Sequence, residues 1–275
     1  YHFGKTVHSD QNVPIGLINS SWGGSPIEPW TVTDKGSGKM YNGMIAPIVN
    51  FPVTGTIWYQ GETNCLHKNG LAYTGKMKDL IEGWRSVFDN ENMPFYFVQI
   101  APWSGSYAPG QLPALWEAQC ATLKLPHTGM AVTTDIVHNI GDIHPRNKHD
   151  VGERLARWAL ARHYQKKGVV YSGPLYKAMK VEGSRIRLAF AHSDGLKSRD
   201  GKDLSEFKIA GSDAQFVDAK ARIEGKFVLV SAESIQNPTQ VRFGWHKVAN
   251  PNLVNRAGLP ASPFQTEKWT GGTGE

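Results

Sequence analysis

An aspartate and a histidine that could do acid–base chemistry lie close together in Gly141–Lys148, which reads GDIHPRNK. The segment follows an apolar run, 129–136, that reads as a strand, and it leads into an amphipathic run typical of a helix. In open α/β sheets the loops after the strands form the edge where ligands bind. Asp142 can hold one ring nitrogen of His144 and leave the other free to accept a proton. The alternative interpretation is a polar loop whose histidine merely caps the next helix.

Two further polar segments follow apolar runs that read as strands. Trp22–Ser25 (WGGS) comes after the run 13–20, and Gly61–Asn64 (GETN) comes after the run 55–60. The paired glycines allow positive backbone φ and let amide N–H groups approach a ligand, although an ordinary strand-to-helix turn uses the same residues. Because the carboxyl ends of parallel strands meet at one edge of a sheet, we expect these segments and Asp142–His144 to lie near one another.

Backbone amides, the Asn64 side chain and an Asp–His pair are the parts of an acyl-transfer site that lacks one piece. The amides can form an oxyanion hole, worth about 3 kcal/mol per donor, and the pair would serve as general base. The missing piece is a nucleophile, because no Gly-x-Ser-x-Gly elbow occurs in the chain. Ser20, Ser21 and Ser25 read as turn or capping residues. Nothing near Cys65 marks it as an activated thiol.

No metal site is predicted. His138, His144 and His149 are spaced by six and five residues, which fits neither one helix face nor a known zinc finger. Cys65 and Cys120 have no metal-binding spacing either. The sequence leaves open whether these two cysteines form one disulfide or remain buried free thiols.

The composition is that of a globular protein with ample material for a core. Of 275 residues, 40% are hydrophobic and 20% are charged, and no 18-residue apolar run occurs, so no membrane span is predicted. The net charge of +6 comes from 30 Lys and Arg against 24 Asp and Glu, all dispersed, which disfavours nucleic-acid binding. Aromatic residues make up 11% of the chain, which favours a sugar or peptide surface.

Alternating apolar patterns predict an α/β fold for the first half of the chain. Strand-like runs alternate with amphipathic helical runs, an order typical of a parallel sheet that helices cover on both faces. The predicted strands span 13–20, 55–60, 95–100 and 129–136, and the predicted helices span 71–88, about 112–123 and about 147–164.

The second half of the chain has a different pattern, which begins after Tyr171–Pro174. Short segments alternate polar and apolar residues, and one reads as a hairpin around Glu224–Gly225. The predicted segments are 184–190, 207–209, 215–221, 222–230 and 240–245. Because no helical pattern separates them, they predict an antiparallel β-sandwich. It shows no cluster of candidate catalytic groups, so we expect it to support the first half or to shape the substrate site.

Five motifs carry a family resemblance. They are Val13–Glu28 (VPIGLINSSWGGSPIE), Tyr41–Pro47 (YNGMIAP), Trp58–Asn64 (WYQGETN), Asp142–Lys148 (DIHPRNK) and Gly258–Phe264 (GLPASPF). They occur in the family's order and span nearly the whole chain. On these motifs the sequence resembles the sialate O-acetylesterase family of SGNH hydrolases.

The resemblance implies a flavodoxin-like SGNH hydrolase domain with a parallel sheet over residues 1–172, followed by a smaller antiparallel β-sandwich domain over residues 173–275. It implies removal of O-acetyl groups from sialic acid or related glycans through a Ser-His-Asp triad and an acyl-enzyme, which needs no cofactor. The expected partner is an O-acetylated carbohydrate, and by resemblance only the protein is expected to be exported (periplasmic, secreted or lysosomal). The alternatives are a non-catalytic carbohydrate-binding pseudoenzyme and an acetylesterase for xylan or other non-sialic substrates.

The matching motifs also imply a role for each candidate site residue. His144 is the implied base, and Asp142 is the acid that orients it. The implied oxyanion donors are Gly24 (or Gly23) and Asn64, and the implied pocket residues are Gly23, Trp22, Gln60 and Glu62. Trp22, Trp58 and Trp103 are candidates for stacking on a sugar, with core packing favoured for Trp58.

Three departures from the family pattern bear on the site. The family's nucleophile lies in a Gly-Gln-Ser-Asn-Met block upstream of the region that matches Tyr1, so the serine is expected on a missing segment or a separate chain, or is absent. Members of the family usually carry a long insertion between the glycine motif and Tyr41–Pro47, where only residues 31–39 lie here. We therefore expect the 275-residue sequence to be part of a longer protein. The broader SGNH group places its acid three residues before the histidine, whereas Asp142 lies two before His144, which leaves Asp135 as the alternative acid.

Overall fold

The computed structural model describes residues 1–267. Within that range, helices occur in the first half of the chain and most strands in the second. The helices are α1 (His2–Gln11), α2 (Glu62–Leu66), α3 (Tyr73–Val87), α4 (Gln111–Thr122) and α5 (Lys148–Trp158). The strands are β1 (Val32–Thr33), β2 (Gly36–Ser37), β3 (Thr56–Trp58), β4 (Phe95–Val98), β5 (Thr128–Ala131), β6 (Leu175–Glu182), β7 (Arg185–Ala191), β8 (Lys197–Ser198), β9 (Phe207–Ala210), β10 (Val217–Asp218), β11 (Lys220–Glu224), β12 (Phe227–Ser231), β13 (Gln240–Phe243), β14 (Leu253–Val254) and β15 (Phe264–Gln265).

Three parallel strands form the sheet of the first half, in the order β3-β4-β5. All four side chains of the central strand β4 are buried, as expected for a strand covered on both faces. Phe95 and Phe97 pack with residues of α3 and α4, whereas Tyr96 and Val98 pack with α5 residues such as Leu155. The predicted α/β class and parallel sheet are confirmed.

The predicted helices of this half are present with shifted ends. The predicted helices 71–88 and 112–123 correspond to α3 and α4. The third is α5, which ends at Trp158 and continues as one π-helical turn, Ala159–His163. The Asn147 side chain caps α5 by accepting from the backbone N–H of Asp150 at 3.1 Å.

The predicted strand 13–20 is wrong. The segment has no regular secondary structure, and Leu17 and Ile18 are 52% and 50% exposed. β3 is the edge strand beside which such a segment would pair, yet within residues 1–267 no strand lies on its outer side, and Ile57 is exposed there. A strand forms only where a neighbour satisfies its backbone N–H and C=O groups, so this apolar run stays irregular.

Helix α1 is an element that the sequence patterns did not predict. Val7 on α1 is buried in one cluster with Val151 and Leu155 of α5. The helices approach closely at Gly152, where a Cβ would lie 2.6 Å from His2 Cβ. A larger side chain at this position would therefore push α1 away from α5.

Two antiparallel four-stranded sheets make up the second half, in the orders β10-β9-β13-β15 and β11-β12-β7-β6. Ile186, Val228 and Val241, from both sheets, share one buried cluster, as in a sandwich. The predicted hairpin is present as β11 and β12, with Gly225 at φ +61° in its turn. β6 was not predicted, because most of its side chains are at least partly exposed and its apolar residues do not alternate.

Hydrogen bonds join the two halves. Gln99 Nε2, after β4, donates to Ser262 Oγ at 2.9 Å, and Gln265 Nε2 donates to Glu117 Oε2 of α4 at 3.0 Å. The domain boundary at residue 172, and the insertion expected near 31–39 where β1 and β2 now lie, stay predictions. Among the described helices, none has the length and apolar character required to cross a bilayer.

Candidate active site

Residues 59–66 follow the carboxyl end of β3 and carry three of the predicted site residues. Gly61 has φ +154°, and a Cβ there would lie 2.9 Å from Ile100 Cγ2, so glycine is required for this turn. The turn buries Gln60 and Asn64, which are 8% and 0% exposed, and leaves Glu62 half-buried at the start of α2.

The Asn64 side chain is the centre of a buried hydrogen-bond network. Its Oδ1 accepts from Ile27 N at 2.9 Å and from Gln60 Nε2 at 2.7 Å. Its Nδ2 donates to the Glu28 carboxylate at 3.1 Å and 3.2 Å, and to Asn69 Oδ1 at 2.7 Å. Both Nδ2 hydrogens are therefore used within the protein. The oxyanion role of Asn64 stays a prediction, and it requires one of these bonds to open.

The Trp22–Ser25 turn lies against the same segment. Gly24 has φ +70°, and its carbonyl accepts from Thr63 Oγ1 at 3.0 Å. The amide N–H groups of Gly23 and Gly24 donate to no other residue in the described range 1–267. Trp22 beside them is 62% exposed. The structure thus brings the predicted glycine donors to the buried network and leaves their amides available.

His144 lies on the loop before α5 with its ring in solvent. The side chain is 88% exposed, and Nδ1 is 3.9 Å from Asp142 Oδ1. The same carboxylate oxygen accepts from the backbone N–H of His144 at 2.9 Å, so Asp142 shapes the local turn. A separation of 3.9 Å is too long for a hydrogen bond, although the exposed ring is free to rotate toward the acid.

The alternative acid, Asp135, is already paired. Its two carboxylate oxygens accept from Nη1 and Nη2 of Arg154, each at 2.7 Å. Both side chains are largely buried, at 7% and 11% exposure. Because this bidentate ion pair occupies Asp135, the geometry favours Asp142 as the partner of His144.

Glu62 connects the His144 loop electrostatically to the aromatic residues after β3. Burial raises the pKa of its carboxyl group, and its own amide N–H and the charges of His144 and Lys148 partly oppose that shift. Lys148 Nζ lies 4.9 Å from the centre of the Tyr59 ring. The hydroxyls of Tyr59 and Tyr107 are buried and have no hydrogen-bond partner within residues 1–267. These groups and the Asn64 network make up the region of the candidate site, in which Glu62 interacts electrostatically with His144.

Replacing Glu62 by glutamine is expected to raise the melting temperature near neutral pH more than in acid. Because the folded-state pKa is raised, the contribution of the protonated carboxyl to stability is present at low pH and is lost as the pH rises through that pKa. Glutamine resembles the protonated form at every pH. Thermal unfolding at about pH 7.5 and about pH 4 measures the difference. Glu91→Gln, on an exposed turn, is the control, and an equal gain at both pH values in Glu62→Gln would contradict the prediction.

Several residues of this region were not singled out from the sequence. Glu28, Tyr59 and Lys148 lie inside the quoted motifs, so the motifs themselves were the available signal. Asn69 and Tyr107 lie in polar loops with no pattern that marks them. They enter the region only because the chain folds back on it.

Each of the three candidate serines donates a hydrogen bond, which is local for Ser21 and Ser25 and reaches a distant segment for Ser20. Ser20 Oγ donates to Met44 O at 3.2 Å, and Ser21 Oγ donates to Asn19 Oδ1 at 2.7 Å. Ser25 Oγ donates to a carbonyl of its own turn at 2.9 Å. The contacts of Ser21 and Ser25 agree with turn roles, that of Ser20 joins two segments, and none of the three hydroxyls donates to a histidine.

The two cysteines are free thiols. The alternative of a disulfide is therefore wrong. Burial raises the pKa of Cys65 to about 12 and that of Cys120 to about 11. Both shifts oppose thiolate formation, so neither cysteine is activated as a nucleophile.

One group of metal-type donors is close together within the described residues. His149, Asp150 and Glu153 offer ligand atoms within 4.8 Å of one another. Asp150 accepts from Asn147 Nδ2 at 2.8 Å, and Glu153 accepts from Arg157 Nη2 at 2.8 Å. These carboxylates already have protein partners, and the expectation of a metal-free site stays a prediction.

Known proteins match both the sequence and the fold. Residues 1–161 match the family described as carbohydrate esterase, sialic acid-specific acetylesterase. The sialate O-acetylesterases of Homo sapiens and Pongo abelii are each 30% identical over 240 residues, which covers 73% of this chain and 46% of theirs. The crystal structure of a carbohydrate acetylesterase from Xanthomonas citri has a TM-score of 0.92 and 39% identity, over 98% of this chain and 65% of that one.

This chain therefore spans about half the length of the curated relatives it matches. The family match nevertheless covers more than half of the chain, including every predicted site residue. Over nearly the whole length of this chain, the fold agrees with that of a solved carbohydrate acetylesterase. The chain belongs to the sialic acid-specific acetylesterase family of carbohydrate esterases.

Proposed function

We propose that this chain supplies the base and the oxyanion donors of a carbohydrate O-acetylesterase that works through a serine acyl-enzyme. The observation that carries the proposal is the contact between the Gly23–Gly24 turn and the 60–64 segment at the carboxyl edge of the sheet. Two further observations support the proposal: the amides of Gly23 and Gly24 have no acceptor within residues 1–267, and His144 interacts electrostatically with Glu62 of the 60–64 segment.

In the proposed reaction the serine Oγ attacks the acetyl carbonyl carbon, and His144 takes the hydroxyl proton. The amides of Gly24 or Gly23, and Asn64 once a bond of its Nδ2 opens, stabilise the oxyanion that forms. Collapse of the tetrahedral intermediate breaks the C–O bond to the sugar, whose oxygen receives the proton from His144. A water molecule then attacks the acetyl-serine, gives its proton to His144, and acetate leaves as the serine is regenerated.

The serine is proposed to come from a segment outside this sequence or from a separate chain. The hydroxyls of Ser20, Ser21 and Ser25 already donate to other groups of the protein and not to a histidine. Within residues 1–267 the outer edge of β3 is unpaired and Ile57 on this strand is exposed, which supports a strand that pairs there. By resemblance to its family we also propose that the protein is exported.

A non-catalytic carbohydrate-binding protein is the second candidate function. The observation in its favour is that both Nδ2 hydrogens of Asn64 are occupied and that Nδ1 of His144 lies 3.9 Å from Asp142. Such a protein would bind the acetylated sugar without releasing acetate.

The full-length protein is expected to release acetate from O-acetylated sialic acid with a kcat/KM at least about tenfold above that for acetylated xylo-oligosaccharide. Acetate release from both substrates is measured at equal concentrations. The reverse preference would assign a non-sialic substrate. Saturable binding with no acetate released would assign the non-catalytic function.

A further inference from the structure

A second polar cavity lies at the amino ends of the parallel strands, on the opposite edge of the sheet from Glu62. Its volume is about 450 Å³. One wall comes from residues at or near the starts of β4 and β5, including Tyr96 and His127, and the other comes from the end of the α5 region, including Arg162 and His163. The cavity therefore lies between the starts of two strands of the parallel sheet and the end of the α5 region.

Tyr96 points to a missing hydrogen-bond partner in this cavity. Its side chain lines the cavity although the residue is only 4% exposed. The hydroxyl makes no hydrogen bond with any other part of residues 1–267. Burial raises the pKa of Tyr96 to about 12, and the charge of Arg162 partly opposes this shift. The phenol therefore stays a neutral O–H donor that is open to the cavity, where it can donate to a ligand.

The Arg162 guanidinium and the two histidines of the cavity have no carboxylate partner. Within residues 1–267, no Asp or Glu oxygen lies within 4.0 Å of Arg162, His127 or His163. Arg162 instead lies over the Tyr171 ring, at 5.9 Å. No acidic residue lines the cavity, although Asp89 and Glu91 flank its lining residue Asn90 in the sequence. The cavity thus combines positive charge with unused donors.

The π-helical turn Ala159–His163 explains how Arg162 and His163 reach the cavity. The turn adds one residue to the helical repeat, and such turns are frequent at functional sites. Arg154 and Arg157, on the regular part of α5, pair with carboxylates instead. The irregular turn therefore separates two paired arginines from one that faces an open cavity.

We propose that this cavity binds an oxyanion group, a carboxylate or a phosphate, carried on a single sugar ring. The Arg162 guanidinium matches two oxygens of either anion, and the Tyr96 hydroxyl supplies a third donor. The side-chain amides of Asn90, Asn92 and Gln165 line the same cavity and match sugar hydroxyls. The volume lies in the range of pockets that hold small ligands. This site is independent of the proposed acetylesterase reaction.

The test is a titration of the ¹⁵N-labelled protein with inorganic phosphate, with D-glucuronate and with D-glucose, followed by amide chemical shifts. Phosphate or glucuronate is expected to cause saturable changes in the amide chemical shifts around Tyr96 and Arg162. The compound that binds more tightly identifies the preferred anion. Arg162→Gln is expected to weaken binding about tenfold or more. Tyr96→Phe, which removes only the hydroxyl, is expected to weaken it about threefold or more.

Lys167→Gln is the matched control, because it removes one positive charge just outside the cavity, where Lys167 is exposed. It is expected to leave the affinity unchanged within about twofold. The proposal is overturned if neither anion gives saturable shifts up to about 50 mM, or if glucose binds as tightly as glucuronate. It is also overturned if Arg162→Gln, shown to be folded by its melting temperature, binds as the wild type does.

Discussion

In the full-length protein, His144→Ala is expected to lower kcat/KM for 4-nitrophenyl acetate by about a thousandfold. The imidazole is proposed to accept the serine proton in the first step and to activate water in the second, so alanine removes the base from both. Because the side chain is 88% exposed, its loss leaves no cavity in the core. The expected loss is therefore in the rate and not in the stability.

The measurement compares initial rates of the wild type, His144→Ala and His138→Ala. His138 is an exposed histidine on the same connection between β5 and α5, and its replacement is expected to change kcat/KM by less than about twofold. Melting temperatures of both variants should lie close to that of the wild type. Unchanged turnover in His144→Ala would remove it from the role of base, whatever the identity of the nucleophile.

The central elements of the fold could be predicted because the positions of their apolar side chains follow directly from which faces are buried. β4 is apolar at every position because both faces are covered, and α3 repeats its apolar residues at helical spacing. The run 13–20 has an equally apolar pattern, but a strand also needs a neighbour for its backbone, and that need is invisible in the run itself. Helix α1 has few buried side chains, and the close approach at Gly152 comes from a distant part of the chain.

The candidate site was predictable at the level of segments and less so at the level of contacts. The Gly23–Gly24 turn and the segment 60–64 do meet, although the turn follows an irregular segment, so the rule for parallel strand ends does not account for the contact. The partners of Asn64 could not be predicted, because Ile27 and Glu28 lie more than 35 residues away in the sequence. The orientation of His144 could not be predicted either. It depends on a turn in which Asp142 accepts a hydrogen bond from the backbone of His144 and not from its ring.

The second large effect is expected for Asn64→Ala, which should lower the free energy of unfolding by about 3 kcal/mol. Asn64 is 0% exposed, and the substitution leaves the buried Ile27 N–H without its acceptor and removes one of the donors to the Glu28 carboxylate. Each unsatisfied buried group costs about 1–3 kcal/mol. Glu28 keeps its ion pair with Lys76, which limits the loss at that end of the network.

Urea unfolding measures this change, with Asn42→Ala as the control. Asn42 is exposed and accepts one side-chain hydrogen bond, from Ser37, so its replacement should cost less than about 0.5 kcal/mol. A decrease in the free energy of unfolding of less than about 1 kcal/mol for Asn64→Ala would contradict the prediction. It would mean that water satisfies the hydrogen-bonding groups that Asn64 leaves behind.

Activity separates the two roles of Asn64, provided it is measured at a temperature where the variant remains folded. An oxyanion donor lost from the transition state lowers kcat by about 10²- to 10³-fold, whereas a purely structural side chain leaves kcat of the folded fraction unchanged. Both Nδ2 hydrogens are bonded to Glu28 and Asn69 in the structure, so a catalytic role requires that one bond exchange for the oxyanion. Asn69→Ala supplies the comparison, because it removes an acceptor for Nδ2 and leaves Asn64 in place. If Asn64 donates to the oxyanion, kcat falls in Asn64→Ala and is retained or raised in Asn69→Ala. If both variants lose stability and keep kcat, Asn64 holds the turn in place and the glycine amides alone bind the oxyanion.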